Sequence, residues 1–488
     1  MMKILSFAKL TVIAVVLTLQ SASAVRQSPP KIELKDCQVR GIQGPAKCGT
    51  LEVYENRATK KGRKINLNIL VLPAIGDKRE PDPVFYFAGG PGSAATDDAR
   101  GFAPAFPQLR EHRDFVFVDQ RGTGGSHPLD CKFYDAADPQ SYLGYFFPLD
   151  DVRKCRAELE TKADLKLYTT TIAMDDIDDV RAALGYEQIN LFGASYGTRA
   201  ALTYLNRHPK RVRTATLQGV APTNQYMPGD FPVANERALQ GIIAECAADE
   251  ACNKAFPNLK DETKSLLATL IKGPVEVEVQ IPNSTTRAKV KLSRDLAAEA
   301  IRYMLYHVAS ASRVPLTIHT AAQGNFAPLV QAALRYRRNL VGTGSNGMYL
   351  SITCAEDLPW IKAGEGEKLA ENTFLGDYRL RQQREACELW PRAEIEKDYS
   401  KPVRADAPVL ILTGEWDPVT PPANGDAAAK TLPNGLHVVV PSGAHGLDGL
   451  EGMDCVDQLV VQFIQGGSMK GIDTSCVKSV RRRGFATN

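Results

Sequence analysis

The sequence predicts an α/β architecture: a mostly parallel sheet flanked by helices, with a large, mainly helical lid inserted between core strands. Three observations carry this expectation. Short runs that are apolar on both faces each close on a glycine-containing turn. Residues 84–87 (VFYF) run into Gly89-Gly90-Pro91-Gly92, and residues 115–118 (FVFV) into Asp119-Gln120-Arg121-Gly122. Such runs suit buried parallel strands with loops at their C-terminal ends. Strand and helix patterns then alternate, the grammar of βαβ units. Finally, helical spacing takes over from about residue 222 to 404 before strand-like runs return, so the core is split around the lid.

Taken in order, residues 1–24 read as a leader. Lys3 and Lys9 precede or flank an apolar stretch over 10–19, and Ala22-Ser23-Ala24 offers the small residues that signal peptidase accepts. Export with cleavage after Ala24 is expected, to the periplasm in preference to the medium, with no membrane attachment afterwards. The first part of the core is placed at 31–221. Within it, residues 51–54 and 67–72 are strand-like. A helical face at Ile172, Ile177, Val180 and Leu184 stops at Gly185, 189–192 is a strand, 196–206 a helix and 215–217 a strand. The lid is placed at 222–404. There Leu296, Ala300, Ile301, Met304, Leu305 and Val308 keep helical spacing, and Val275, Val277 and Val279 alternate opposite Ala288, Val290 and Leu292 across a turn at Pro282-Asn283-Ser284. The second part of the core, 405–488, brings 409–412 into Thr413-Gly414-Glu415-Trp416-Asp417 and 437–440 into Ser442-Gly443-Ala444-His445-Gly446.

Composition narrows the function classes. Among 488 residues 44% are hydrophobic and 24% charged, which excludes bulk disorder, collagen and coiled coil. With 59 Lys+Arg against 56 Asp+Glu the charge is +3, or +1 once Lys3 and Lys9 leave with the leader, too balanced for an electrostatic nucleic-acid binder. The run Arg481 to Arg483 reads as a solvated tail. Ten cysteines in an exported chain read as disulfides. Spacing alone does not fix their connectivity. Pairing neighbours closes short loops and is the expectation: Cys37 with Cys48, Cys131 with Cys155, Cys246 with Cys252, Cys354 with Cys387, Cys455 with Cys476. No histidine lies beside a cysteine at metal-ligand spacing, so no metal is expected. The glycines of Gly122-Thr123-Gly124-Gly125 lack a nucleotide-binding context, so no cofactor is expected either.

The chemistry-bearing motif is Gly193-Ala194-Ser195-Tyr196-Gly197, a G-x-S-x-G that follows an expected strand and opens an expected helix. That context pushes a serine hydroxyl out at the top of a sheet. A serine needs a base, and the base needs a carboxylate to hold its tautomer. Asp417 and His445, each on a loop after a strand and in the order Ser, Asp, His, complete the expected triad, with Glu415 as the rival acid and His437 read as packed within its strand. The oxyanion donors are expected at the backbone amides of Tyr196 and Gly90, with Gly89 the alternative. Asp175, Asp176, Asp178 and Asp179 read as acids favouring a helix N-terminal half, not a metal site. Asp119 and Arg121 read as scaffold for the surrounding loops.

The combination GGPG, DQRGTGGS, GASYG, GEWDPVTP and GAHG, spread in order from about Cys48 to Cys476, resembles the exported α/β-hydrolase aminopeptidases related to proline iminopeptidase, in particular their tripeptidyl-aminopeptidase branch. The resemblance implies the α/β-hydrolase fold and release of short fragments from peptide substrates with a free N-terminus. It also implies carboxylates in the lid that receive the substrate ammonium, for which Glu356 and Asp357, following Cys354, are the candidates. In the prototype loop, HGGPG, a histidine stands where this chain has Ala88, so strict proline specificity does not carry over. The triad by itself does not separate amide from ester cleavage, and an esterase or lipase is the alternative.

Overall fold

The computed structural model describes residues 32–135, 137–281 and 285–488, the side chains of 339–343 excepted. The expected leader and the turn at Pro282-Asn283-Ser284 lie outside the described residues. The strands in chain order are β1 (Lys35–Asp36), β2 (Lys47–Tyr54), β3 (Lys64–Leu72), β4 (Val84–Phe87), β5 (Phe115–Val118), β6 (Ile189–Ala194), β7 (Val212–Gln218), β8 (Val275–Gln280), β9 (Arg287–Leu292), β10 (Val409–Gly414) and β11 (Gly435–Val440). All but β8 and β9 form one sheet in the order β1-β2-β3-β5-β4-β6-β7-β10-β11. β1 to β3 are antiparallel and β3 runs antiparallel to β5, while every pairing from β5 to β11 is parallel.

The apolar runs are buried because the sheet is covered on both faces. Successive residues of β4 point to opposite sides. Val84 and Tyr86 pack with Phe102, Phe117 and Phe192, whereas Phe85 and Phe87 pack with Leu191, Ala200 and Tyr204. Each such side chain contributes roughly 1.5–3 kcal/mol of burial. The sheet order reverses direction around β4, with β5 on one side and β6 on the other. In open α/β sheets that crevice, at the C-terminal ends of the strands, is where ligands bind.

Between β7 and β10 the chain builds the lid, from helices such as Phe231–Ala248, Leu259–Ile271, Arg294–Met304 and Ala327–Thr343 and from the β8–β9 hairpin. The hairpin register pairs Val275 with Leu292 and Val277 with Val290. The lid has its own apolar core around Ile242, Leu266, Ile301 and Leu334. Helical spacing through 308 is interrupted in the structure: the helix ends at Met304, and another begins at Val308. The intervening turn is held by the core. The Gly446 N–H donates to the Tyr306 carbonyl (2.8 Å), and His307 pairs with Gly446 as a parallel bridge. A tertiary backbone contact has overridden the local periodicity.

All ten cysteines are paired as nearest neighbours in sequence, the five bonds expected from loop length.

Candidate active site

Ser195 joins β6 to the helix Tyr196–Arg207 with φ 56° and ψ −125°, a backbone region that residues with a side chain seldom occupy. The flanking glycines are demanded by space. A Cβ on Gly197 would overlap the Phe87 carbonyl oxygen at the end of β4, and one on Gly193 would come within 2.5 Å of the Gly197 carbonyl oxygen. Close approach of helix to strand forces the turn that presents the hydroxyl. The Ser195 N–H donates to the carbonyl of Gln218 (2.9 Å), the last residue of β7.

Tyr196 is the first residue of that helix, where a backbone N–H lacks an intrahelical acceptor. The loop after β4 faces the serine: a Cβ on Gly89 would fall 3.1 Å from the Ser195 Cβ and 3.6 Å from its Oγ. Gly90 follows with φ 107° and is solvent-exposed. The lid clamps this loop, since the Ser345 N–H donates to the Gly92 carbonyl (3.0 Å). Ala88, at the departure from the prototype loop, is buried among apolar neighbours.

The carboxylate of Asp417 is fully buried in the turn after β10. Its Oδ1 accepts the N–H groups of Val419 and Thr420, both at 2.8 Å. Its Oδ2 accepts the Thr420 hydroxyl (2.7 Å) and lies 2.8 Å from His445 Nδ1. With Oδ1 committed to two amides, Nδ1 donates its proton to Oδ2, and Nε2 is left as the acceptor. Glu415 points elsewhere, its Oε2 accepting the Ser442 N–H at 2.9 Å. His437 stays within β11, between Asp426 Oδ1 (2.9 Å) and Thr413 Oγ1 (3.1 Å). The end of β7 lies between Ser195 and His445: Gln218 holds Ser195, and a Cβ on the next residue, Gly219, would fall 3.1 Å from His445 Cε1. Five parallel strands thus deliver Gly89, Ser195, Gly219, Asp417 and His445 to one edge of the sheet.

Sequence reasoning missed Tyr306. Its ring meets the His445 imidazole edge-on, centroids 5.4 Å apart at 74°. The Tyr306 hydroxyl accepts from Arg302 Nη2 (2.6 Å), and Arg302 in turn pairs with Glu299 Oε1 (3.3 Å). Burial pushes the Tyr306 phenol up to about 12. The available signal was polar and aromatic residues at 299, 302 and 306, spaced three and four apart beside the apolar stripe.

Glu356 and Asp357 end the helix Asn346–Glu356 and are both fully buried. Glu356 Oε1 accepts the Thr170 N–H (2.7 Å), while Oε2 accepts the Thr170 hydroxyl (2.6 Å) and the Tyr399 hydroxyl. Both Glu356 oxygens thus serve the chain's own donors, Oε1 one and Oε2 two. Asp357 Oδ1 pairs with Arg199 (2.7 Å), on the helix that follows Ser195, and accepts the Met227 N–H (3.1 Å), but its Oδ2 has no partner. Burial raises both carboxyl pKa values. Hydrogen bonds from Thr170 and Tyr399 oppose this at Glu356, and Arg199 opposes it at Asp357.

The remaining acidic residues are structural. Asp119 accepts from Asn68, Thr96 and Gly125. Arg121 grips Asp176 through two bonds, at 2.6 and 3.0 Å. Asp175 pairs with Arg207, Asp178 with Arg181, and Asp179 with Arg57.

Comparison with known proteins places these features. Residues 82–262 match the family described as alpha/beta hydrolase fold, and residues 372–476 the family described as TAP-like protein. The chain is 25% identical to serine protease Hip1 of Mycobacterium tuberculosis over 471 residues, covering 89% of this chain and 88% of that protein. It is 25% identical to a tripeptidyl aminopeptidase of Streptomyces coelicolor over 495 residues, covering 93% and 87%. A shorter match, 32% identical over 138 residues, covers 28% of the chain and 32% of a proline iminopeptidase of Neisseria gonorrhoeae. The chain therefore has the α/β-hydrolase fold with a TAP-like segment at 372–476, and its similarity over most of its length is to proteins named as serine peptidases.

Proposed function

We propose that the chain is a serine aminopeptidase that releases a short fragment, a di- or tripeptide or a single residue, from unblocked peptide N-termini. The reading rests on the 2.8 Å contact between Asp417 and His445 at the sheet edge that also presents Ser195. Similarity along nearly the whole chain to proteins named as peptidases favours amide over ester substrates.

In this mechanism His445 Nε2 takes the Ser195 proton as Oγ attacks the scissile carbonyl. The carbonyl oxygen becomes an oxyanion between the N–H groups of Tyr196 and Gly90. His445, steadied as an imidazolium by Asp417, returns the proton to the leaving amine, and a water activated by the same base then hydrolyses the acyl-enzyme. Recognition of the substrate ammonium falls to Asp357, whose Oδ2 is unpartnered, with Glu356 fixing the ground beneath it through Thr170 and Tyr399. Five disulfides suit an oxidising compartment, so we place the enzyme outside the cytoplasm. No helix among the described residues is long and apolar enough to cross a membrane.

The test is mass spectrometry of products from one unblocked decapeptide, run beside its N-acetylated form and a set of short acyl esters. Wild type is expected to trim the free decapeptide from its N-terminus and spare the acetylated one. Ser195→Ala abolishes turnover, and Asp357→Asn, which also strands the buried Arg199 guanidinium and is therefore read only on protein that thermal unfolding shows to be folded, raises KM for the free peptide about tenfold with kcat little changed. Equal cleavage of blocked and free peptides defeats the ammonium assignment. Turnover of esters alone defeats the peptidase reading.

A further inference from the structure

A cavity of about 550 Å³ opens in the lid, between the break in the helix at 305–307 and the helices Val314–Ala322 and Ala327–Thr343. Its walls are largely apolar, from Tyr303, Met304, Leu316, Pro328, Ala332 and Tyr336. Arg313 and Arg335 also line it, both exposed, and no Asp or Glu is among its lining residues. Among the described residues neither guanidinium has an ion-pair partner.

His307 forms the wall between this cavity and the catalytic loop. It bridges Gly446, the residue after His445, and a Cβ on Gly446 would fall 2.7 Å from His307 Nδ1. Burial, with the nearby His445, holds the His307 pKa down, so this wall stays uncharged at neutral pH and adds no third cation. The acyl half of a substrate is tied to Ser195 and the amides of Gly90 and Tyr196. The amine half must meet His445, which protonates it. His307 lines the cavity and bridges the residue after His445, which puts the cavity next to the group that meets the departing amine.

On the basis of the peptidase reading above, we propose that this cavity binds the leaving portion of the substrate, with an apolar side chain just past the scissile bond inside it and the free C-terminal carboxylate of a short peptide at Arg313 and Arg335. The substrate class is then short oligopeptides with a free acid terminus, not the exposed N-termini of folded proteins. An apolar space of this size admits a large side chain together with the backbone that follows it, and two unpaired exposed guanidiniums lining it favour a carboxylate over an amide.

The experiment compares four substrates: an unblocked pentapeptide acid with Leu after the scissile bond, the same peptide as its C-terminal amide, its counterpart with Gly in place of that Leu, and a tripeptidyl p-nitroanilide that has no peptide beyond the bond. In wild type the acid is expected to show a KM about fivefold to tenfold lower than the amide, the scale of a partly exposed ionic contact to two arginines. Arg313→Gln/Arg335→Gln, both surface changes, erases that difference by raising KM for the acid while leaving the anilide unchanged. Ala332→Phe, filling the cavity, raises KM for the Leu peptide more than for its Gly counterpart. Binding of the acid and amide of Leu-Ala-Ala to Ser195→Ala, measured by calorimetry, reads the same preference without turnover. Equal KM values for acid and amide in wild type, or an equal loss on the anilide in the double variant, overturn the proposal. Failure of wild type to cleave the anilide counts instead against the peptidase reading, and the calorimetric preference then decides the cavity's role alone.

Discussion

Replacing Asp417 by Asn is expected to trap His445 in the wrong tautomer. The asparagine side chain must place one oxygen and one NH₂ where the carboxylate had two oxygens. If the NH₂ took the Oδ1 position it would confront the amides of Val419 and Thr420, each now 2.8 Å from an acceptor. Two buried donors would lose their partners, at about 1–3 kcal/mol each. If the NH₂ takes the Oδ2 position it meets only the Thr420 hydroxyl, which can rotate to accept, and His445 Nδ1, which can become an acceptor by shifting its proton to Nε2. The second arrangement is cheaper, and in it Nε2 is a donor that cannot take the Ser195 proton. A loss of about 10³ to 10⁴ in kcat follows from a displaced tautomer, equivalent to about 4–5.5 kcal/mol of barrier. The assay is hydrolysis of a tripeptidyl p-nitroanilide from pH 6 to 9, with thermal unfolding as the control for folding. Glu415→Gln keeps an acceptor for the Ser442 N–H and should stay within tenfold of wild type. If Asp417→Asn retains more than a tenth of wild-type kcat, or Glu415→Gln falls as far as it does, the assignment of the acid is wrong.

Three further outcomes are expected. Burial raises the Asp98 carboxyl from 3.8 to about 6, so the folded state favours its neutral form. Its stability contribution is intact below the unfolded value and lost as pH rises through about 6, at a cost of about 3 kcal/mol at pH 8. Asp98→Asn should raise the urea midpoint at pH 8 and leave it unchanged at pH 4, and a pH-independent shift contradicts this. Gly197→Ala should abolish both activity and labelling of Ser195 by a fluorophosphonate, because the helix cannot approach β4 with a Cβ there, and normal labelling would show that the turn relaxes. Asp176→Asn strands the buried guanidinium of Arg121 and should destabilise by about 3–5 kcal/mol in urea unfolding, whereas a change under 1 kcal/mol would mean water replaces the carboxylate.

The sheet and the turn that carries Ser195 were legible because their signals are local. β4 and β5 were bounded to the residue by runs apolar on both faces that end in glycine turns, and β8 and β9 were located by strict alternation. Ser195, Asp417 and His445 stood out because a strand, a turn and the chain order coincide in each case. What depends on contacts distant in sequence was not legible. The stop at Met304 has no glycine or proline to announce it, since the turn after it is held by the Gly446 amide, 140 residues beyond its acceptor Tyr306. Tyr306 therefore looked like one more helical position. The partners of Glu356 were hidden as well, since Thr170 and Tyr399 come from segments on either side of it. Short-range pattern reports which residues can be buried, and only the assembled fold reports what they meet.

The seam at 305–307 also limits how far this protein could be pared down. A shortened version lacking the inserted helices would expose the Gly446 amide and remove the aromatic wall from the imidazole, so it would be a damaged enzyme and not a simpler one. Any engineered chimera that grafts a foreign cap onto this sheet has to supply a carbonyl and a ring at that same spot.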